Sequence, residues 1–151
     1  HDGKLFATWR RAADYRRSDA LALLDQVGML PQADRPCSAL AYGDVKRVEL
    51  AMALANQPKL LLMDEPTAGM APTERHALMA LTKRLVVERG IAVLFTEHSM
   101  DVVFAYADRM IVLARGNLIA QGTPPEIRAN PLVQEVYLGT GKVFENPQAA
   151  L

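Results

Sequence analysis

Two strand-like apolar runs in this chain end on residues that could do chemistry. The first, LLLM at residues 60–63, runs straight into Asp64, Glu65 and Pro66; the second, Ile91 to Phe95, runs into Thr96, Glu97 and His98. Two ionised carboxylates at the end of a buried element are costly unless something positive sits beside them. In open α/β sheets ligands collect beyond the carboxyl ends of the strands, so both endings would face one crevice if the strands are neighbours. A strand-end carboxylate beside a phosphate commonly holds Mg²⁺ through water, which suits Asp64. A second carboxylate, Glu65, is placed to orient or deprotonate an attacking water. An imidazole, His98, can bond a transferring phosphoryl oxygen. Taken singly, each has an ordinary reading: an acidic strand end and a solvated histidine are both common.

A third feature precedes these two. The segment Leu40, Ala41, Tyr42, Gly43, Asp44 opens a helical pattern, with Gly43 removing a side chain where backbone N–H groups would approach an anion. A helix N-terminus carries partial positive charge and unpaired amides, the elements of an anion site.

The elements that would position these residues follow from periodicity and punctuation. Residues 18–27 read as a helix, capped by Ser18 and closed by Gly28. Residues 4–17, with five Arg or Lys plus Trp9 and Tyr15, read as a second, more polar helix, and 31–39 as a loop holding two prolines. Residues 43–56 read as a helix with Val45, Val48, Met52 and Ala55 on its apolar face. Lys59 to Met63 is expected to be a strand buried on both faces, as in a parallel sheet. A helix over 73–89, with Leu78, Leu81 and Leu85 on one face and Gly90 at its end, leads to a second buried strand, Ile91 to Phe95. Strand, helix and strand in that order make a βαβ crossover. A short helix over 99–107, a hairpin turning at Arg115-Gly116-Asn117, and two short helices divided by Pro131 complete the pattern.

Composition narrows the class. The 151 residues are half hydrophobic with formal net charge zero, so there is a core but no basic footprint for nucleic acid or an anionic membrane. Cys37 is the single cysteine, which excludes a disulfide framework and a CxxC metal site. No apolar run approaches the roughly 18 residues of a membrane span, and the N-terminus, which begins with His1, lacks the apolar core of a signal peptide. The first residue fits a chain processed or cut from a longer one.

In order and spacing, LAYGDVKR, LLLMDEP, AGMAP and TEHSM resemble the signature motif, the Walker B strand with its catalytic glutamate, the D-loop and the switch-histidine segment of the ATP-binding cassette (ABC) ATPases. Within that family, ALANQPKLLLMDEPTAGMAP, IAVLFTEHSMDVVF and NPLVQEVYLG most resemble the LivG-like subunits of branched-chain amino-acid importers, with the ATPases of urea and short-chain amide importers as near rivals. The resemblance covers nearly the whole chain. It implies an α/β, partial P-loop NTPase fold, with parallel strands, flanking helices and part of the helical subdomain. Residues 1–36 would belong to that subdomain, 37–123 to the C-terminal part of the ATPase core and 124–151 to a helical extension. It implies Mg²⁺ at Asp64, catalysis by Glu65 and His98, and closure of Leu40, Ala41, Tyr42, Gly43 and Asp44 on the γ-phosphate of ATP held by a second ATPase subunit. Met70 and Ala71 would lie along that subunit interface. Integral membrane permease subunits, and indirectly a periplasmic substrate-binding protein, would be the other partners, with no nucleic acid; residues 4–17 are a candidate surface for the permease subunits, with a solvated charged face as the alternative. The protein would sit peripherally on the cytoplasmic face of the inner membrane.

Two departures stand out. The family's signature serine is Ala41 here, and losing one hydrogen bond to a charged phosphate costs about 1.5–3 kcal/mol. The usual D-loop aspartate is Ala71. A larger departure is that GxxxxGK[ST], the phosphate cradle, does not occur: Gly3-Lys4 and Gly141-Lys142 lack both the following Ser or Thr and the earlier glycine. The chain is therefore expected to be the C-terminal part of a transport ATPase, inactive alone, with exposed sheet surface compensated by self-association or an altered sheet order. The alternative is a non-catalytic interaction or regulatory remnant. A DNA-repair or translation ATPase fits poorly with the neutral charge.

Overall fold

The computed structural model describes residues 16–138, and the polar helix expected over 4–17 lies almost wholly outside them. The described chain forms two compact units that meet in sequence at Val102 and Val103.

The first unit opens with α1, whose described part runs over residues 16–26, as the leucine spacing predicts; Ser18 lies inside this helix rather than capping it, because the helical backbone already includes residues 16 and 17, and Gly28, in the left-handed region at φ 73°, ends it. After two short 3₁₀ turns come α2 (Tyr42–Leu54), β1 (Leu60–Asp64), α3 (Pro72–Arg89) and β2 (Ala92–Thr96). β1 and β2 pair in parallel from Leu60 opposite Ala92 to Asp64 opposite Thr96, so the βαβ unit forms with its strands adjacent. Gly90 stops α3 at φ 64°, donating its N–H to the carbonyls of Val86 and Val87.

One core holds this unit together: Val27, Met29, Leu50, Ala51, Leu54, Leu61, Met70, Leu78 and Leu85 pack together. Two expectations are corrected here. α2 buries Leu50, Ala51 and Leu54 most fully; of the expected face Val48 does pack against this core, but Met52 and Ala55 are exposed, Met52 at 69%. The cause is tertiary, since the side facing α3 and β1 is decided by where the helix is laid down. Nor are the strands buried on both faces. Their residues alternate, with Leu61 buried and Leu60, Leu62 and Leu94 exposed, because the described helical core covers one face of the sheet only.

α4 (Met100–Tyr106) spans the boundary between units. The second unit continues with an antiparallel hairpin, β3 (Met110–Ala114) and β4 (Asn117–Gly122), irregular between Val112 and Leu113. Its two-residue turn, Arg115-Gly116, has φ 49° and 79°. Positive φ at both positions is what a tight hairpin needs to match strand twist. α5 (Pro124–Ala129) and α6 (Pro131–Val133) follow, divided at Pro131 as expected, and one π-turn covers Gln134–Leu138. Met110, Ile127 and Val133 make this unit's core.

Candidate functional site

The carboxyl ends of β1 and β2 lie side by side, and the parallel register brings the two chemistry-bearing tails together. Asp64 pairs with Thr96 across the ladder, and the Thr96 hydroxyl donates to the Asp64 carboxylate. Glu65 follows with φ 42°, a conformation that side-chain-bearing residues seldom adopt and that persists only where surroundings enforce it. The enforcing contacts are on the neighbouring strand: the Glu65 N–H donates to both the carbonyl and the hydroxyl of Thr96, each at 3.1 Å. That turn aims the Glu65 side chain at His98, with Oε1 3.7 Å from Nδ1. The separation is longer than a hydrogen bond.

Asp64, Glu65 and His98 are all exposed in this chain. The desolvation penalty that would demand a cation beside two buried carboxylates therefore does not arise here, because the strand ends open to solvent. Among the described residues no three His, Cys, Asp or Glu side chains gather as a metal cage. The donor set still fits Mg²⁺ in one form: this ion is commonly held by one or two carboxylates, with phosphates and water completing its shell. Asp64 offers such a single carboxylate, oriented by Thr96.

The segment after Glu65 is tightly tied. Thr67 is 1% exposed, and its N–H and hydroxyl both donate to Glu97 Oε1, the former at 3.0 Å. Ser99 N–H reaches Glu97 Oε2 at 3.4 Å. Arg75, on the first turn of α3, donates from Nε to the Met70 carbonyl at 2.9 Å and from Nη1 to Ser99 Oγ at 3.2 Å. The sequence placed Thr96 and Glu97 at a strand end and assigned no work to Thr67, Arg75 or Ser99. The Thr67–Glu97, Arg75–Ser99 and Asp64–Thr96 contacts join residues 24 to 32 positions apart, and no local pattern signals them.

The LAYGD segment stands at the start of α2, beside this loop. Leu40 packs against the first unit's core, Ala41 is the N-cap, and Asp44 lies in the first turn. Ala41 supplies no side-chain cap, so the first amides of the helix are left without a protein side-chain acceptor at that position. The Tyr42 hydroxyl donates to the Ala68 carbonyl at 3.2 Å. Lys46 lies 5.5 Å from the Tyr42 ring centroid and 2.9 Å from Glu49, whose hydrogen bond raises its pKa above the ordinary 10.5. A Cβ on Gly43 would stand 3.5 Å from Glu74 Oε1 and 3.6 Å from Met70 Cε, ordinary contacts. Within this chain, then, packing does not require glycine at 43; the expected need arises only if an anion approaches its backbone. Met70 is buried in the core, and Ala71 is the N-cap of α3, its N–H accepted by Glu74 at 3.3 Å. A hollow of about 110 Å³ lined by Lys46, Leu50, Leu61, Met63, Pro66 and Leu78 lies beside this strand end and does not include Asp64, Glu65 or His98.

Comparison with known proteins places the chain among its relatives. A family model described as "ABC transporter" matches residues 4–68, and one described as "Branched-chain amino acid ATP-binding cassette transporter" matches 117–143. The chain is 40% identical over 131 residues to the high-affinity branched-chain amino acid transport ATP-binding protein LivG of Salmonella typhimurium, covering 87% of this chain and 51% of that protein. It is 38% identical over 131 residues to the corresponding protein BraF of Pseudomonas aeruginosa, covering 83% and 51%. The crystal structure of the ADP conformation of MJ1267, an ATP-binding cassette of an ABC transporter, superimposes with a TM-score of 0.74 at 33% identity, covering 81% of this chain and 49% of that one. The chain spans about half the length of the curated relatives it matches.

Proposed function

Because this chain belongs to the ABC transporter ATPases and is similar to their branched-chain amino-acid importer branch, we propose that it serves as part of the ATP-hydrolysing, energy-coupling subunit of such an importer. The observation that carries this reading is the meeting of Asp64, Glu65 and His98 at adjacent carboxyl ends of β1 and β2, with Glu65 and His98 3.7 Å apart. In it, Asp64 holds Mg²⁺ through water, Glu65 orients the attacking water and His98 contacts the γ-phosphate. Mg²⁺ supplies charge neutralisation between the phosphates when bound. Leu40, Ala41, Tyr42, Gly43 and Asp44 present the helix start to the nucleotide of a second ATPase subunit. The backbone amides carry that contact, since Ala41 has no hydroxyl to offer.

The remaining assignments rest on the same likeness. Residues 1–36 belong to the helical subdomain, 37–123 to the ATPase core and 124–151 to the extension. Membrane permease subunits are the partners, and the location is the cytoplasmic face of the membrane. Among the described residues no helix is long and apolar enough to cross a membrane, which is consistent with a peripheral subunit.

One observation favours a second reading. The 151 residues contain no GxxxxGK[ST], so this stretch by itself lacks the usual cradle for the β- and γ-phosphates. On its own it is expected to bind ATP weakly and not to hydrolyse it, and a binding or regulatory role would follow if it acts in that form.

The test is Glu65→Gln introduced at the native locus, followed by uptake of radiolabelled leucine, isoleucine and valine. Loss of uptake supports the proposal. Unchanged uptake of all three overturns the branched-chain assignment, and a fall in urea or short-chain amide uptake instead moves the protein to that branch. Steady ATP turnover by the purified chain would overturn its expected inactivity in isolation.

A further inference from the structure

His98 has no close hydrogen-bond partner of its own among the described residues: its one polar neighbour, Glu65, is 3.7 Å away, and its side chain is 72% exposed. An exposed imidazole with only this loose 3.7 Å contact samples several rotamers. Its two chain neighbours, by contrast, are both anchored. Glu97 spreads its carboxylate over the buried Thr67, taking the N–H and hydroxyl on one oxygen, and accepts the Ser99 N–H on the other. Ser99 is held from outside by Arg75, which at the same time grips the Met70 carbonyl. Both anchors start in the stretch Thr67–Arg75 that directly follows Glu65 and Pro66.

We infer that Glu97 and Arg75 are positioning residues, forming a two-armed clamp that sets His98 opposite Glu65 and ties its placement to the geometry of residues 67–71. The inference rests on the reading of Glu65 and His98 as the working pair, but the clamp is a property of this chain that can be measured without turnover. A carboxylate accepting several hydrogen bonds holds them more strongly than a neutral acceptor would. Thr67, being buried, fixes the Glu97 arm to the core. The Arg75 arm is the adjustable one: a shift of the Met70 carbonyl would be passed through one guanidinium to Ser99, next to His98. By this route a partner pressing on residues 68–71 would move the histidine.

The experiment is NMR of the purified 151-residue chain, following the His98 ring resonances and hydrogen exchange of the Thr67 and Ser99 amides, with the urea midpoint measured alongside. Ser99→Ala removes the Arg75 arm at a part-buried hydroxyl and Glu97→Ala removes the other; Glu97→Gln keeps one acceptor oxygen for Thr67, loses the acceptor for the Ser99 N–H, and serves as a partial rescue. Expected are a shift and narrowing of the His98 ring signals in Ser99→Ala and in Glu97→Ala, about a tenfold or greater loss of Thr67 amide protection in Glu97→Ala, and recovery of the Thr67 protection but not of the Ser99 protection in Glu97→Gln. His98 signals that stay at their wild-type positions in Ser99→Ala, with the urea midpoint unchanged, would overturn the clamp. So would His98 signals that move only in proportion to a fall in the urea midpoint, since that is loss of structure rather than of positioning. Should Glu97→Ala fail to fold, Ser99→Ala and Arg75→Lys decide the question by themselves. Failure of the uptake test with the clamp intact would count against the catalytic reading and leave the positioning result standing.

Discussion

Leu60, Leu62 and Leu94 stand on one face of the β1–β2 pair at 53%, 67% and 57% exposure. Leu62 lies directly opposite Leu94 in the register, so the three make one continuous apolar surface. Burying a leucine fully is worth roughly 1.5–3 kcal/mol, so covering the exposed part of these three is worth about 3–5 kcal/mol per copy. Two copies meeting through this face would gain about twice that, against an association cost of about 4–15 kcal/mol. The balance predicts weak, concentration-dependent self-association of the isolated chain, not a permanent dimer. Leu62→Lys is the sharpest perturbation. It puts a charge in the middle of the face, at a position so open that the monomer's stability should change by no more than about 0.5 kcal/mol. Sedimentation velocity over a wide concentration range is the assay, with urea unfolding as the control. The reasoning holds if the wild-type chain grows with concentration and the variant does not, at equal stability. A wild-type chain that stays monomeric throughout refutes it, and so does a variant that associates as strongly as the parent.

Two further outcomes follow from local geometry. Gly90→Ala should lower the stability of the first unit by about 1 kcal/mol, read from the urea midpoint, because φ 64° is strained for any side chain even though nothing lies within 4 Å of the added methyl. In the second unit, the Glu126 carboxylate accepts the Thr123 N–H at 2.7 Å and the Thr123 hydroxyl at 2.9 Å, and the backbone bond first, then the hydroxyl, hold its pKa below the ordinary 4.5. A depressed carboxyl stabilises the fold above its unfolded pKa, and that contribution is lost as pH falls through the lower folded value. The start of α5 should therefore loosen as pH drops below about 4.5, seen as a shift of the Thr123 amide signal, and Glu126→Gln should remove the pH dependence.

The elements and the acidic strand ends were legible in the residues themselves. Hydrophobic runs bounded by Pro58 and Asp64, a glycine after α3, and Arg115-Gly116 between two alternating stretches specify strand, helix end and hairpin turn by local sterics. The order of LAYGD, DEP and TEH likewise marks Asp64, Glu65 and His98 as candidates. What local pattern could not settle was partnership. Which side of α2 is buried depends on where α3 and β1 lie, and Leu50, Ala51 and Leu54 won over Val45, Met52 and Ala55 for that reason. Whether a strand is covered on one face or two depends on the layers around it, so Leu62, apolar enough for a core, lies open. The clamp of Thr67, Glu97, Ser99 and Arg75 is the clearest case. Periodicity and turn chemistry act over a few residues, whereas a hydrogen bond between positions 67 and 97 exists only once the parallel register has set Asp64 beside Thr96.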